Sequence, residues 1–118
     1  MHALILGFES LVALMIQDVL EEAGFDTFAI ASTAEAGVKA ATEKCPDLIV
    51  ADVDARGGCG IEAVQSICAA KTIPVIFATD TFRDALTRLP MAMTLRKPFG
   101  AVALTAAVAE VRAGRGSY

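Results

Sequence analysis

The runs Ala3 to Leu6, Leu48 to Ala51 and Pro74 to Ala78 are apolar at every position rather than at every second one. A strand that is apolar on both sides has to be covered on both sides, the condition of a parallel sheet lying between two helical layers. Between the runs lie stretches with a different period. Leu11, Val12, Met15, Ile16, Val19, Leu20 and Ala23 recur at steps of three and four, which predicts an amphipathic helix with Ser10 as its cap and Gly24 at its end. Thr27 to Ala31 reads as a second strand, and Thr33 to Lys44 as an alanine-rich helix stopped by Pro46. Ile61, Val64, Ile67 and Cys68 mark one face of a third helix. Thr81 to Leu89 reads as a short fourth helix and Met93 to Leu95 as a fifth strand. Ala101 to Arg112 is expected to be a last helix, with Val102, Leu104, Val108 and Val111 available for packing and a loose tail from Ala113. Strands alternating with helices are joined by crossovers, so the expected fold class is α/β: a three-layer, doubly wound sheet of five parallel strands.

The length of 118 residues fits one domain spanning residues 1–118. Although 55% of the residues are hydrophobic, charges break each apolar stretch before it reaches bilayer-spanning length, and no leader-like pattern opens the sequence. The expectation is a cytoplasmic protein without membrane contact. A net charge of -4 with scattered arginines argues against binding nucleic-acid phosphates, which takes clustered cations. Cys45, Cys59 and Cys68 form no ligand pair and His2 stands alone, so the cysteines read as reduced structural thiols.

In a doubly wound sheet the functional crevice opens beyond the carboxyl ends of the strands. Those ends hold Gly7, Phe8 and Glu9 after the first strand, Asp52, Val53 and Asp54 after the third, Thr79 and Asp80 after the fourth, and Arg96, Lys97 and Pro98 after the fifth. A carboxylate, a hydroxyl and an ammonium on one rim have the chemistry of phosphoryl transfer: the first accepts the group and the others hold its oxygens. Pro98 restricts the backbone of Lys97 and helps to aim it. Each residue also has an ordinary reading, Asp52 as a turn residue, Thr79 as a strand-end hydroxyl and Lys97 as a solvated charge. Gly57, Gly58 and Gly60 read as turn glycines, because Ile61 and Glu62 stand where a phosphate loop needs a lysine and a hydroxyl.

From Ala3 to Val111 the sequence resembles the response-regulator receiver family, with its flavodoxin-like fold. The matching pieces are Pro46-Asp47-Leu48-Ile49-Val50-Ala51-Asp52, Gly57 to Ile61, Ile73-Pro74-Val75-Ile76-Phe77-Ala78-Thr79 and Lys97-Pro98-Phe99. The resemblance implies that Asp52 is the phosphoacceptor, Thr79 the switch hydroxyl and Lys97 the lysine that pairs with the acyl phosphate. Phe77-Ala78-Thr79 and the turn from Asp52 to Gly57 also resemble a receiver subgroup of bacterial general stress signalling named for its Phe-Ala-Thr-Gly-apolar-Tyr signature. Asp80, Thr81 and Phe82 depart from the rest of that signature.

Two departures from the wider family bear on chemistry. Gly7 and Phe8 stand where the family has two adjacent acids that hold a divalent cation. The resemblance therefore implies a weak or absent Mg2+ site made of Asp52, a carbonyl near Asp54 and Glu9 reaching back, and Phe8 reads as a packing residue. No other cofactor is expected. Thr94 takes the place of the ring whose rotation accompanies phosphorylation in the family.

The implied partners are a histidine kinase or phosphotransfer protein and a downstream protein, with self-phosphorylation and self-dephosphorylation the only catalysis. The alternative is a degenerate receiver that binds proteins without phosphate. A flavin- or nucleotide-binding protein on the same topology is disfavoured, since no hydroxyl-rich loop follows the first strand. By resemblance the docking surface would include Arg83, Asp84, Thr87, Arg88 and Arg96 beside Ala101, Ala103, Ala106 and Ala107, which leaves a homodimer or a docked kinase open.

Overall fold

The computed structural model describes residues 1–53, 60–68, 72–80 and 93–114. It contains β1 (His2–Leu6), α1 (Ser10–Glu22), β2 (Thr27–Ala31), α2 (Ala34–Glu43), β3 (Leu48–Asp52), α3 (Gly60–Cys68), β4 (Val75–Thr79), β5 (Met93–Arg96) and α4 (Ala101–Arg112). The strands form one parallel sheet in the order β2-β1-β3-β4-β5. The fourth helix expected over 81–89 lies outside the described residues.

The three inner strands, β1, β3 and β4, are buried at every position, whereas the edge strands β2 and β5 carry exposed or half-buried residues. This is the division that the unbroken apolar runs imply. Alternation along each inner strand feeds two cores. Ala3, Ile5, Leu48, Val50, Ile76 and Ala78 pack with α1 and α4, while Leu4, Leu6, Ile49, Ala51, Val75 and Phe77 pack with α2 and α3.

Several boundaries differ from expectation. Glu9 rather than Ser10 is the N-cap of α1, in an extended conformation and without a side-chain cap hydrogen bond, and Ser10 is the first helical residue. Thr33 caps α2, its hydroxyl accepting from the Ala36 amide at 3.1 Å. Gly24 follows α1 with φ +103°, as its C-terminal role requires. In α4 the face is turned relative to expectation: Leu104, Ala107, Val108 and Val111 are buried, whereas Val102 is 86% exposed. Ala107 is therefore core and not docking surface. Ala113 and Gly114 continue as a hydrogen-bonded cap, their amides donating to Ala109, Glu110 and Val111 carbonyls, so the ordered chain runs past Ala113. Cys45 is a free thiol, as expected, and is exposed. No described helix is long and apolar enough to cross a membrane.

Candidate functional site

The strand order reverses between β1 and β3, since β1 is flanked by β2 on one side and β3 on the other. A cleft of about 540 Å³ opens there, lined by Gly7, Phe8, Glu9, Ser10, Val12, Ser32, Asp52 and Lys97. This is the crevice that the topology predicts.

Asp52 ends β3 and is 8% exposed. A carboxylate this deep needs a counter-charge, because desolvation alone disfavours the ionised form. Lys97 Nζ supplies it by donating to both carboxylate oxygens, 3.1 Å to Oδ1 and 3.0 Å to Oδ2. The same ammonium lies 3.8 Å from Asp80 Oδ2 on the exposed rim. At the backbone, the Lys97 amide donates to the Thr79 carbonyl at 2.9 Å, carrying the β4–β5 pairing one residue beyond β5. Lys97–Pro98 is a cis peptide bond.

Thr79 ends β4 one residue beyond Ala78, the register partner of Asp52, and is wholly buried. The structure thus brings Asp52 and Lys97 into direct contact and places Thr79 on the neighbouring strand. Glu9 is exposed and lines the cleft. Asp54 and the glycines at 57 and 58 lie outside the described residues, as do Arg83, Asp84, Thr87 and Arg88. Thr94 is half-buried in β5 opposite Phe77, and Arg96 is exposed.

At the end of β1, Gly7 and Phe8 offer no carboxylate to a divalent cation. Gly7 has φ +88°, a left-handed conformation that glycine adopts freely and an aspartate does not, and its amide donates to the Ala31 carbonyl at 2.7 Å. Phe8 is 6% exposed and belongs to the core between the sheet and the α1–α4 layer. Its ring meets Phe99 edge to face, with centroids 6.2 Å apart and an interplanar angle of 82°. Magnesium takes oxygen ligands in octahedral geometry, and the Phe8 side chain supplies none. Among the described residues no three His, Cys, Asp or Glu side chains cluster in a way that could hold a metal.

Four further residues shape the site in ways their sequence readings do not give. Gly60 opens α3 directly against the end of β3: a Cβ added there would lie 2.0 Å from the Asp52 carbonyl oxygen, and the Gly60 amide donates to the Val53 carbonyl at 2.9 Å. Ser32, just past β2, and Ser10 line the cleft. Phe99 holds Phe8. Ser32 could have been found by extending the strand-end rule to β2, whereas no sequence signal reports the contacts of Gly60 and Phe99.

A family model described as the response regulator receiver domain matches residues 4–109. The phyllosphere-induced regulator PhyR of Methylorubrum extorquens is 33% identical over 111 residues, a match covering 91% of this chain and 42% of that protein. Among solved structures, a variant of the anti-anti-sigma factor PhyR from Bartonella quintana superposes with a TM-score of 0.80 at 30% identity, covering 91% of this chain and 46% of that one. The receiver domain of PhyR from Erythrobacter litoralis superposes with a TM-score of 0.79 at 25% identity, covering 99% and 93%. The chain thus spans less than half the length of the full-length relatives and nearly all of an isolated receiver domain.

Proposed function

This chain belongs to the response regulator receiver domain family of two-component signalling, and from that premise we propose that Asp52 accepts a phosphoryl group and thereby switches contacts with other proteins. One observation supports this above all: the buried Asp52 carboxylate is held through both oxygens by Lys97 at the mouth of the switch-point cleft. In the transfer, a carboxylate oxygen of Asp52 attacks the phosphorus of the donor, the bond from phosphorus to the donor's leaving atom breaks, and no proton need move on the protein. Lys97 offsets the charge gathering on the equatorial oxygens. Thr79, at the end of the adjacent strand, is the hydroxyl that answers the new charge.

The donor is a histidine kinase or phosphotransfer protein. The relatives named as anti-anti-sigma factors point to an anti-sigma factor as the kind of downstream partner, in a protein or complex that supplies what the other half of those relatives supplies. A second reading has its own support, since Gly7 and Phe8 leave the β1 end without carboxylates: a receiver fold used as a protein-binding module without phosphate.

Incubation with acetyl phosphate, with and without Mg2+, followed by intact-mass measurement of the wild type and Asp52→Ala separates the two. A single phosphoryl adduct on the wild type that is lost in Asp52→Ala supports the acceptor role. No adduct on either, across donors and metals, favours the phosphate-independent module.

A further inference from the structure

Phe8 occupies a position where the family resemblance calls for an acid, yet it is built into the core and reaches the segment that carries Lys97. The Phe8 ring packs edge-on against Phe99, and both rings belong to the apolar cluster between the sheet and the α1–α4 layer. Phe99 is two residues beyond Lys97. Lys97 is fixed at its backbone by the bond to Thr79, and its side chain returns across Asp52. The turn over residues 97–99 is therefore pinned at its start by β4 and at its far side by Phe8.

We infer that Phe8 is a positioning residue: through Phe99 it braces the turn bearing Lys97, and so keeps the ammonium on both oxygens of Asp52. Its functional meaning rests on the proposed acceptor role of Asp52. On that reading an apolar contact has replaced ionic ligation at the end of β1, and the cation that balances the acceptor is the protein's own. The brace costs little entropy, because an aromatic side chain has only two rotatable bonds to fix and burying it is favourable in itself.

The test is 15N NMR of the Lys97 ammonium group in the whole, unphosphorylated chain, at fixed pH. An ammonium held by a carboxylate exchanges its protons with water slowly, so the exchange rate reads the Asp52–Lys97 contact directly. Wild type is compared with Phe8→Leu, Phe8→Ala, Phe99→Leu, Phe99→Ala and the double variant Phe8→Ala with Phe99→Ala. Leu20→Ala is the control, a buried residue of the same cluster ten positions along α1 from Ser10, about 15 Å from the helix start.

Losing an edge-to-face contact is expected to raise the Lys97 exchange rate about two- to tenfold in Phe8→Ala and Phe99→Ala. The leucine variants should shift it less, the double alanine variant no more than either single one, and Leu20→Ala not at all. An unchanged Lys97 signal in folded Phe8 and Phe99 variants overturns the inference, as does an equal change in Leu20→Ala. If the alanine variants fail to fold, the two leucine variants carry the same comparison. Because the contact is read without phosphate, a wild type that takes no phosphoryl adduct would defeat the acceptor reading while leaving the brace standing.

Discussion

Lys97 Nζ lies 3.1 Å from Oδ1 and 3.0 Å from Oδ2 of Asp52, so one cation serves both oxygens of a carboxylate whose side chain is 12% exposed. The two residues are brought together from β3 and from the far side of β4, and the carboxylate is the more buried of the two. Lys97→Met should therefore destabilise the fold by about 1–3 kcal/mol in urea denaturation, because it takes a two-oxygen, charge-assisted contact away from a buried carboxylate. Asp52→Asn with Lys97→Met should cost less than the sum of the two single changes, and strict additivity would show that the pair carries no coupling.

Gly60 is where α3 touches the end of β3. Gly60→Ala sets a methyl group 2.0 Å from the backbone oxygen of Asp52, which cannot rotate away, so a loss of about 1–3 kcal/mol is expected. Gly37→Ala meets Leu6 Cδ1 at 2.2 Å, a side-chain methyl that can turn aside. The ordering, with Gly60→Ala the costlier, is checked by comparing denaturation midpoints.

Reinstating an acid at the end of β1 sets stability against ion binding. Phe8→Asp gives up a buried ring and its contact with Phe99, a loss of about 3–5 kcal/mol, while placing a second carboxylate by the cleft. Its affinity for Mg2+ should exceed that of the wild type by on the order of tenfold in calorimetric titration. Gly7→Asp carries a separate backbone cost of about 1 kcal/mol, since φ is +88° there.

His2 gives the fold a pH dependence at the opposite end of the sheet. Burial, and then the nearby Lys44 charge, hold its imidazole below the ordinary value of 6.5, against the opposing pull of Asp47 and the contact with Thr27. Its Nδ1 lies 2.9 Å from Thr27 Oγ1. With the folded value below the unfolded one, the unfolded chain takes up the proton first as pH falls. The stability contributed by neutral His2 is thus complete above about pH 6.5 and declines through that value until the folded group also titrates. His2→Gln should flatten this part of the stability profile measured by urea denaturation at a series of pH values.

The inner strands were legible because burial on both faces leaves no room for polar residues, and β2 was found at its full extent, Thr27–Ala31. Helix detail was harder. The hydroxyl of Ser10 marks a residue able to cap, but the backbone conformation that makes a cap belongs to Glu9. In α4 nearly half the positions are alanine, which fits either face, so Val102 was misplaced and Ala107 left outside the core. At the site, Asp52 and Lys97 could be read because each lies at the end of a strand. Their joint hold could not, because it depends on segments 45 residues apart. Gly60 and Phe99 act through close approach in space, which neither spacing nor composition encodes.

The place of β3 in the sheet has a mechanical consequence. Asp52 sits at the tip of the middle strand, hydrogen-bonded to β1 on one edge and β4 on the other and buried along its whole length. Close-packed interiors scarcely compress. Such a strand behaves as an anvil: a blow at its tip is returned rather than absorbed, and the recoil passes to the turn that follows β5, which is tied to β4 through the Lys97 amide.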